Sequence, residues 1–339
     1  MRIYKLIVLS FALLVSSVVA DEVVLNPDHP RQYTVVRGDT LWDISARFLR
    51  DPWLWPEVWH VNPQIVNPHL IYPGDVISLV YIDGKPRLVL KRGPRTVKLS
   101  PSVRREVIEK PIPTIPLDVV SQFLTRSRVL SRQELEAAPY LVSHEDNRLT
   151  TGAGDRIYVR KIEKDDVRRF SVYRKGRAYR RPRSNELLGY EAIYVGQASL
   201  VDTGDPATLE LTGTTREALI GDRLLPQEQE AILPYYQPHA PGHEVRGSVI
   251  SIMDAISMIG SYQVLALDLG SKDGMEVGHV LAVYQRGATV RDAVEGGSVT
   301  LPDTRAGNLM IFRTFDKVSY GLVMNATRPI RKLDIVRNP

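Results

Sequence analysis

Few stretches of this chain combine residue types that could carry out chemistry, and spacing decides what each can do. His239-Ala-Pro-Gly-His243 has the separation of a metal-ligating pair. Two such imidazoles share a face only on a helix, and the intervening proline and glycine forbid one, so no metal site is expected. The chain has 0 cysteines, which excludes disulfides, thiol nucleophiles, thiolate metal sites and the lipid-bearing cysteine of a bacterial lipoprotein. Neither His-Glu-x-x-His nor Gly-x-Ser-x-Gly occurs. Paired carboxylates for glycoside hydrolysis leave no linear signature, because they need only lie about 5 to 9.5 Å apart in space. The densest charge is "RRFSVYRKGRAYRRPR", residues 168–183. It reads either as a site for an anionic ligand or as a hairpin turning at Lys175-Gly176, with Phe170 and Val172 inward and arginines in solvent. The alternation favours the hairpin, and exposed arginine also discourages edge-to-edge pairing.

One further candidate is "QYTVVRGDTLWDISARFL", residues 32–49, where a Gly38-Asp39-Thr40-Leu41 turn separates a short strand from a helix. Thr40 and Asp43 have capping-box spacing, and Leu41, Ile44 and Phe48 then recur on one helical face. Asp51-Pro52 and Trp55-Pro56 announce a second helix that runs through Val58 and Trp59 to Asn62-Pro63. After "QIVNPHLIYPGD", Val76 to Val80 alternates as a strand. Trp42, Trp53, Trp55 and Trp59 account for all 4 tryptophans, and in so small a module they are expected to pack its core rather than stack on a ligand.

Residues 32–80 resemble a LysM domain: "YTVVRGDTLWDIS" is similar to its opening strand and turn, and "VNPQIVNPHLIYPGDVISL" to its second helix end, loop and closing strand. The insertion "LRDPWLWPE" between the helices departs from a minimal LysM. The resemblance implies binding of N-acetylglucosamine polymers, chiefly peptidoglycan glycan strands, in a shallow groove. It places Gly38, Asp39, Thr40 and Leu41 on one side and Asn67, Pro68, His69, Leu70, Ile71 and Tyr72 on the other. A sugar acetamide needs one amide donor, one carbonyl acceptor and an apolar wall for its methyl, which turn backbones beside Leu or Ile supply without a cofactor or metal.

The elements around this module set its context. Arg2 and Lys5, the apolar run Leu6 to Val15 and the ending Val18-Val19-Ala20 predict a secretory signal, residues 1–20, cleaved after Ala20. Its apolar run is shorter than the ~20 residues that span a bilayer, and no later segment is long and apolar enough, so no transmembrane segment is expected after cleavage. Cleavage removes two cations and lowers the formal charge from +5 to +3, too small an excess to argue for nucleic acid. The roughly 319 residues left fit two or three domains.

The expected organisation is α+β: a small βααβ module at 31–82, a basic, proline-containing hairpin and semi-rigid spacer at 83–116, a β-rich domain at 117–235 and a C-terminal β-domain at 244–339, forming one or two small barrels or sandwiches. Residues 131–138 read as a short helix. A recurring device marks the β-regions, in which glycine and a charged turn residue precede a strand: Gly154-Asp155, Gly221-Asp222, Gly278-His279, with "KLDIVRNP" a glycine-free echo. As a whole the chain resembles LysM-domain proteins of the Gram-negative periplasm with a β-rich C-terminal region. The expected function is non-catalytic peptidoglycan binding, with 117–339 as a scaffold facing an envelope protein partner. The alternative is a cell-wall hydrolase targeted by the module, with catalytic carboxylates in 117–339.

Overall fold

The computed structural model describes residues 23–59, 70–91, 111–145, 151–162, 167–227, 236–253 and 258–339. The N-terminal module comprises β1 (Gln32–Thr34), α1 (Leu41–Phe48), a 3-10 turn (Pro52–Leu54), α2 (Trp55–Val58), β2 (Val76–Ile82) and β3 (Lys85–Lys91). Leu41, Ile44 and Phe48 are buried as their spacing predicts, and so are Trp42, Trp53 and Trp55. Trp59 packs against the same core. The tryptophans thus form the module's interior, and the "LRDPWLWPE" insertion becomes the 3-10 turn leading into α2.

Within the stretch expected to be a separate hairpin and spacer, residues 85–91 extend the module's sheet and residues 111–116 pack against the module. β3 pairs along its whole length with β2, giving a sheet ordered β1-β2-β3. Leu88 and Leu90 on β3 are 1% and 3% exposed, and this burial draws the strand onto the core. The second strand expected in that hairpin, near 95–100, lies outside the described residues. Further along, Ile112 and Ile115 are 3% and 0% exposed in the apolar cluster that holds the module's core and continues into the barrels, so 111–116 is a docked segment rather than a free spacer.

Beyond it come α3 (Leu117–Thr125), β4 (Arg128–Leu130), α4 (Arg132–Ala137), β5 (Tyr140–His144), β6 (Arg156–Arg160), β7 (Arg169–Arg180), β8 (Leu187–Asp202), β9 (Ala207–Thr214) and β10 (Arg223–Pro226). Ser131 closes a full capping box with Glu134 at the start of α4. The sheet runs β4-β8-β7-β10-β5-β6-β9, and the extra pairing of β8 with β9 closes six of these strands into a ring, leaving β4 on the outside. The last section holds β11 (Arg246–Ile252), β12 (Met258–Ile259), β13 (Val264–Leu267), β14 (Val280–Gln285), β15 (Thr289–Arg291), β16 (Ser298–Thr300), β17 (Thr304–Thr314), β18 (Ser319–Ala326), β19 (Ile330–Arg331) and β20 (Ile335–Arg337). Its barrel is β11-β13-β18-β17-β14-β20, also closed.

The two rings have the same topology. Lettered a to f in chain order, the six barrel strands of each are joined a-b-e-d-c-f, with every neighbour antiparallel. The β-rich region is therefore a tandem of two like barrels, each with its own apolar interior.

The glycine-and-charge device is the turn that leads into their strands. Asp155 accepts the Gly152 N–H at 2.9 Å, Asp222 the Leu219 N–H at 2.9 Å, and Asp334 the Arg331 N–H at 2.7 Å. At Gly278-His279 the His279 ring replaces the carboxylate, with Nδ1 accepting the Glu276 N–H at 3.2 Å. The residue before each acceptor has a positive φ, +90° at Gly221 and +75° at Leu333, so the glycine-free echo carries the same turn at a conformational cost.

The arginine-rich stretch does not turn at Lys175-Gly176. β7 is continuous through it and the hairpin loop lies between Arg180 and Leu187. A Cβ at Gly176 would lie 3.0 Å from the Glu191 carbonyl oxygen, so this glycine serves a close strand approach beside a register shift, not a reversal. Phe170 and Val172 point inward as expected. Arg174 is held by Asp222 through Nε and Nη2, both at 2.9 Å, and its Nη2 also reaches the Glu217 carbonyl at 2.7 Å.

Candidate functional site

The turn before α1 is built by its own side chains. Gly38 has φ +98°, and no neighbouring atom lies within 4 Å of where its Cβ would be, so backbone angle and not crowding calls for glycine. Asp39 Oδ2 accepts the Val36 N–H and the Tyr33 hydroxyl, each at 2.9 Å. Burial first, and then this carboxylate, hold the Tyr33 phenol above its ordinary pKa. Thr40 caps α1: its Oγ1 accepts the Asp43 N–H at 3.1 Å and donates to Asp43 Oδ2 at 2.7 Å. Leu41 is 2% exposed and anchors the helix in the core. Gly38, Asp39, Thr40 and Leu41 are therefore spent on structure as side chains, and what this edge offers a ligand is backbone.

On the facing edge Ile71 is buried and Leu70 and Tyr72 are half-buried. The Tyr72 N–H donates to Asp75 Oδ2 at 3.0 Å and its carbonyl accepts the Asp75 N–H at 3.1 Å, which makes the turn into β2. Asn67, Pro68 and His69 lie outside the described residues. Leu41 and Trp42 on one edge and Ile71 on the other are bridged by another part of the chain. The Leu41 N–H donates to the Pro113 carbonyl at 3.0 Å, the Trp42 N–H to the Thr114 carbonyl at 3.2 Å, and the Ile112 N–H to the Ile71 carbonyl at 2.8 Å. Segment 112–114 thus satisfies the open N–H groups of the first turn of α1 and the carbonyl opposite. No helix or strand periodicity marks "KPIPTIP", so its sequence does not announce this burial.

Among the described residues, side-chain hydrogen bonds tie this region to the rest of the molecule. The Tyr236 N–H donates to Thr114 Oγ1 at 3.3 Å, and Thr114 is 0% exposed. The Tyr262 hydroxyl donates to Asp43 Oδ1 at 2.5 Å. Burial, and next that hydrogen bond, raise the Tyr262 pKa. On β17, Arg313 Nη1 donates to the Phe123 and Ser127 carbonyls at 3.0 Å and to that of Leu124 at 2.5 Å, fastening the C-terminal end of α3. One apolar cluster runs from α1 through Ile112 and Ile115 to Phe312 and Tyr320 of the second barrel.

The domain model that matches this chain is that of the LysM domain, over residues 33–80. Residues 33–80 are a LysM domain. LysM domains are in general peptidoglycan- or chitin-binding modules. The chain is also similar to the uncharacterized protein YqbP of Bacillus subtilis (strain 168), 37% identical over 60 residues. That stretch covers 15% of this chain and 27% of YqbP, so the likeness is confined to a fraction of each protein.

A second cluster arises where His239 pairs with His279 in a parallel bridge and Glu276 joins them, their ligating atoms lying within 4.8 Å of one another. Sequence spacing pointed to His243 as the partner of His239, but the His243 ring faces the Asp273 carbonyl at 3.1 Å. The His239 and His279 rings meet edge to face at 4.6 Å. Burial, and then the His239 charge, hold the His279 pKa below its ordinary value. His279 Nδ1 accepts a backbone N–H, so the neutral ring carries its proton on Nε2, and a cation there would have to displace that proton. The cluster is suited to closing its turn rather than to holding an ion.

Proposed function

We propose that the protein is a non-catalytic binder of N-acetylglucosamine polymers, peptidoglycan strands foremost. The groove between 38–41 and 70–72 of the LysM domain is the contact, and the tandem barrels are a scaffold that faces another envelope protein. Export belongs to the same reading, motivated by the leader and its ending at Ala20, with the periplasm as destination. What carries the glycan assignment is the set of backbone groups in the groove. Two N–H donors, Leu41 and Trp42, face one acceptor, the Ile71 carbonyl, and all three engage amide groups of an extended chain at 2.8 to 3.2 Å. An acetamide asks for the same complement. Among the described residues the carboxyls whose pKa burial raises are Asp268, which accepts the Ser248 N–H of β11, and Asp334, which accepts the Arg331 N–H of a turn, and these structural uses favour a binding role over general acid catalysis.

The test is incubation of the protein with purified peptidoglycan sacculi. Co-sedimentation without soluble muropeptides is expected, and release of muropeptides would instead establish the hydrolase alternative. Affinity for one shallow groove should be weak, with Kd on the order of 0.1 to 1 mM. Leu70→Asp places a carboxylate against the acetamide methyl and should abolish binding while the tryptophan emission of the folded domain is retained.

A further inference from the structure

We propose that residues 112–115 are a built-in strap that competes with glycan for the LysM groove, so that binding requires the strap to leave. This rests on the preceding reading of the groove as the glycan site. The strap takes the groups a sugar acetamide would need: the Leu41 and Trp42 N–H groups point at the Pro113 and Thr114 carbonyls, and the Ile71 carbonyl receives the Ile112 N–H. The apolar wall is filled as well, since Ile112 and Ile115 are 3% and 0% exposed.

The strap is poised to compete rather than to form part of the domain. It reaches the groove from outside 33–80, the residues that match a LysM domain. Pro111, Pro113 and Pro116 limit it to an extended backbone that forms no helix or sheet of its own, so its hold on the groove rests on these three hydrogen bonds and the two isoleucines, with Thr114 tying its other side. Its far side is tied to the barrels, through Thr114 to the Tyr236 N–H and through α3 to Arg313. The Tyr262–Asp43 bond clasps the same end of α1 to the second barrel. Glycan entry would therefore break the contact of the LysM domain with the barrel tandem, which makes wall occupancy legible to whatever the barrels bind. A strap docked in about nine molecules of ten weakens the apparent affinity about tenfold.

The experiment uses the full chain and the N-acetylglucosamine hexamer as probe, with amide hydrogen exchange read at Leu41, Trp42 and Ile112. In the parent these amides should be protected, and saturating hexamer should speed exchange at Ile112 while Leu41 and Trp42 stay protected, because sugar replaces strap. Hexamer bound with Ile112 still protected overturns the proposal. In the variant Ile112→Ala/Ile115→Ala, Leu41 and Trp42 should exchange about tenfold faster and the hexamer should bind about tenfold tighter. Equal affinity for parent and variant, with those amides opened in the variant, overturns the strap and leaves the glycan reading standing. No binding to either, with the amides opened, overturns the glycan reading and the strap with it. The parent measurement decides the question even where the variant is poorly folded.

Discussion

The Arg174–Asp222 pair offers the sharpest prediction about the first barrel, because it separates the two roles open to the arginine-rich strand. Asp222 is 3% exposed at its side chain and Arg174 30%, and the carboxylate also accepts the Leu219 N–H. Replacing Arg174 with methionine keeps the aliphatic stem and strands a buried carboxylate on one backbone donor. Breaking a buried pair costs about 3 to 5 kcal/mol, and the partial exposure of Arg174 discounts this, so about 3 kcal/mol is expected. Asp222→Asn should cost less, about 2 kcal/mol, because the guanidinium it frees can turn to water and to the Glu217 carbonyl. The double variant should fall short of the sum of the singles by about 1 to 2 kcal/mol. Urea unfolding followed by far-ultraviolet circular dichroism gives the values, and the larger loss should move the midpoint by about 1 to 2 M. All 4 tryptophans lie in the LysM domain, so their emission serves as an internal reference for a part of the chain the substitution does not touch. If Arg174→Met costs under about 1 kcal/mol, or if the singles simply add, the pair is a solvated surface contact and the reasoning fails.

Gly38→Ala forces a side chain into φ +98° with open space around it, so only the backbone penalty applies, about 1 to 2 kcal/mol, read as a lower melting point of tryptophan emission. His144 is 2% exposed, and burial depresses its pKa, so the neutral ring stabilises the fold above about pH 6.5 and that contribution is lost as pH falls through the folded value. The urea midpoint should therefore drop between pH 7.5 and 5.5, and His144→Gln should flatten that drop. Asp268 behaves in the opposite sense: burial raises its pKa, so the native state holds the proton longer and stability declines as pH rises from about 4 through the folded value. Asp268→Asn keeps an acceptor for the Ser248 N–H and should stabilise the protein at pH 7 but not at pH 3, in the same denaturation assay. Tyr262→Phe removes the clasp on Asp43 and should speed amide exchange at Asp43 without shifting the melting of the barrels.

Local order was written in the chain itself. Thr40 and Asp43 three apart, and Leu41, Ile44 and Phe48 on one face, specify α1 because helix capping and burial act within a few residues. The glycine-and-charge pairs leading into strands are legible for the same reason, since each turn is closed by a side chain three residues from the N–H it accepts. Even the exception at Leu333 follows that local pattern. The mostly-β character of 117–339 and the packing of the tryptophans likewise follow from residue type and alternation.

What the tertiary structure alone decided depends on partners far apart in sequence. Closure of the first ring needs β9 to meet both β6 and β8, and nothing in an alternating strand names the strand beside it, so the repeated a-b-e-d-c-f order emerges only once both barrels are seen. Gly176 reads as a turn until β8 is laid against it and Glu191 fills the place of its side chain. His239 met His279 instead of His243 because a bridge between distant segments outweighs spacing along an irregular loop. The docking of 112–115 into the groove is the plainest case. An extended proline-bounded segment has no internal hydrogen bonds to announce its place, and its free energy is set by N–H groups and an apolar wall that exist only after the LysM domain has folded.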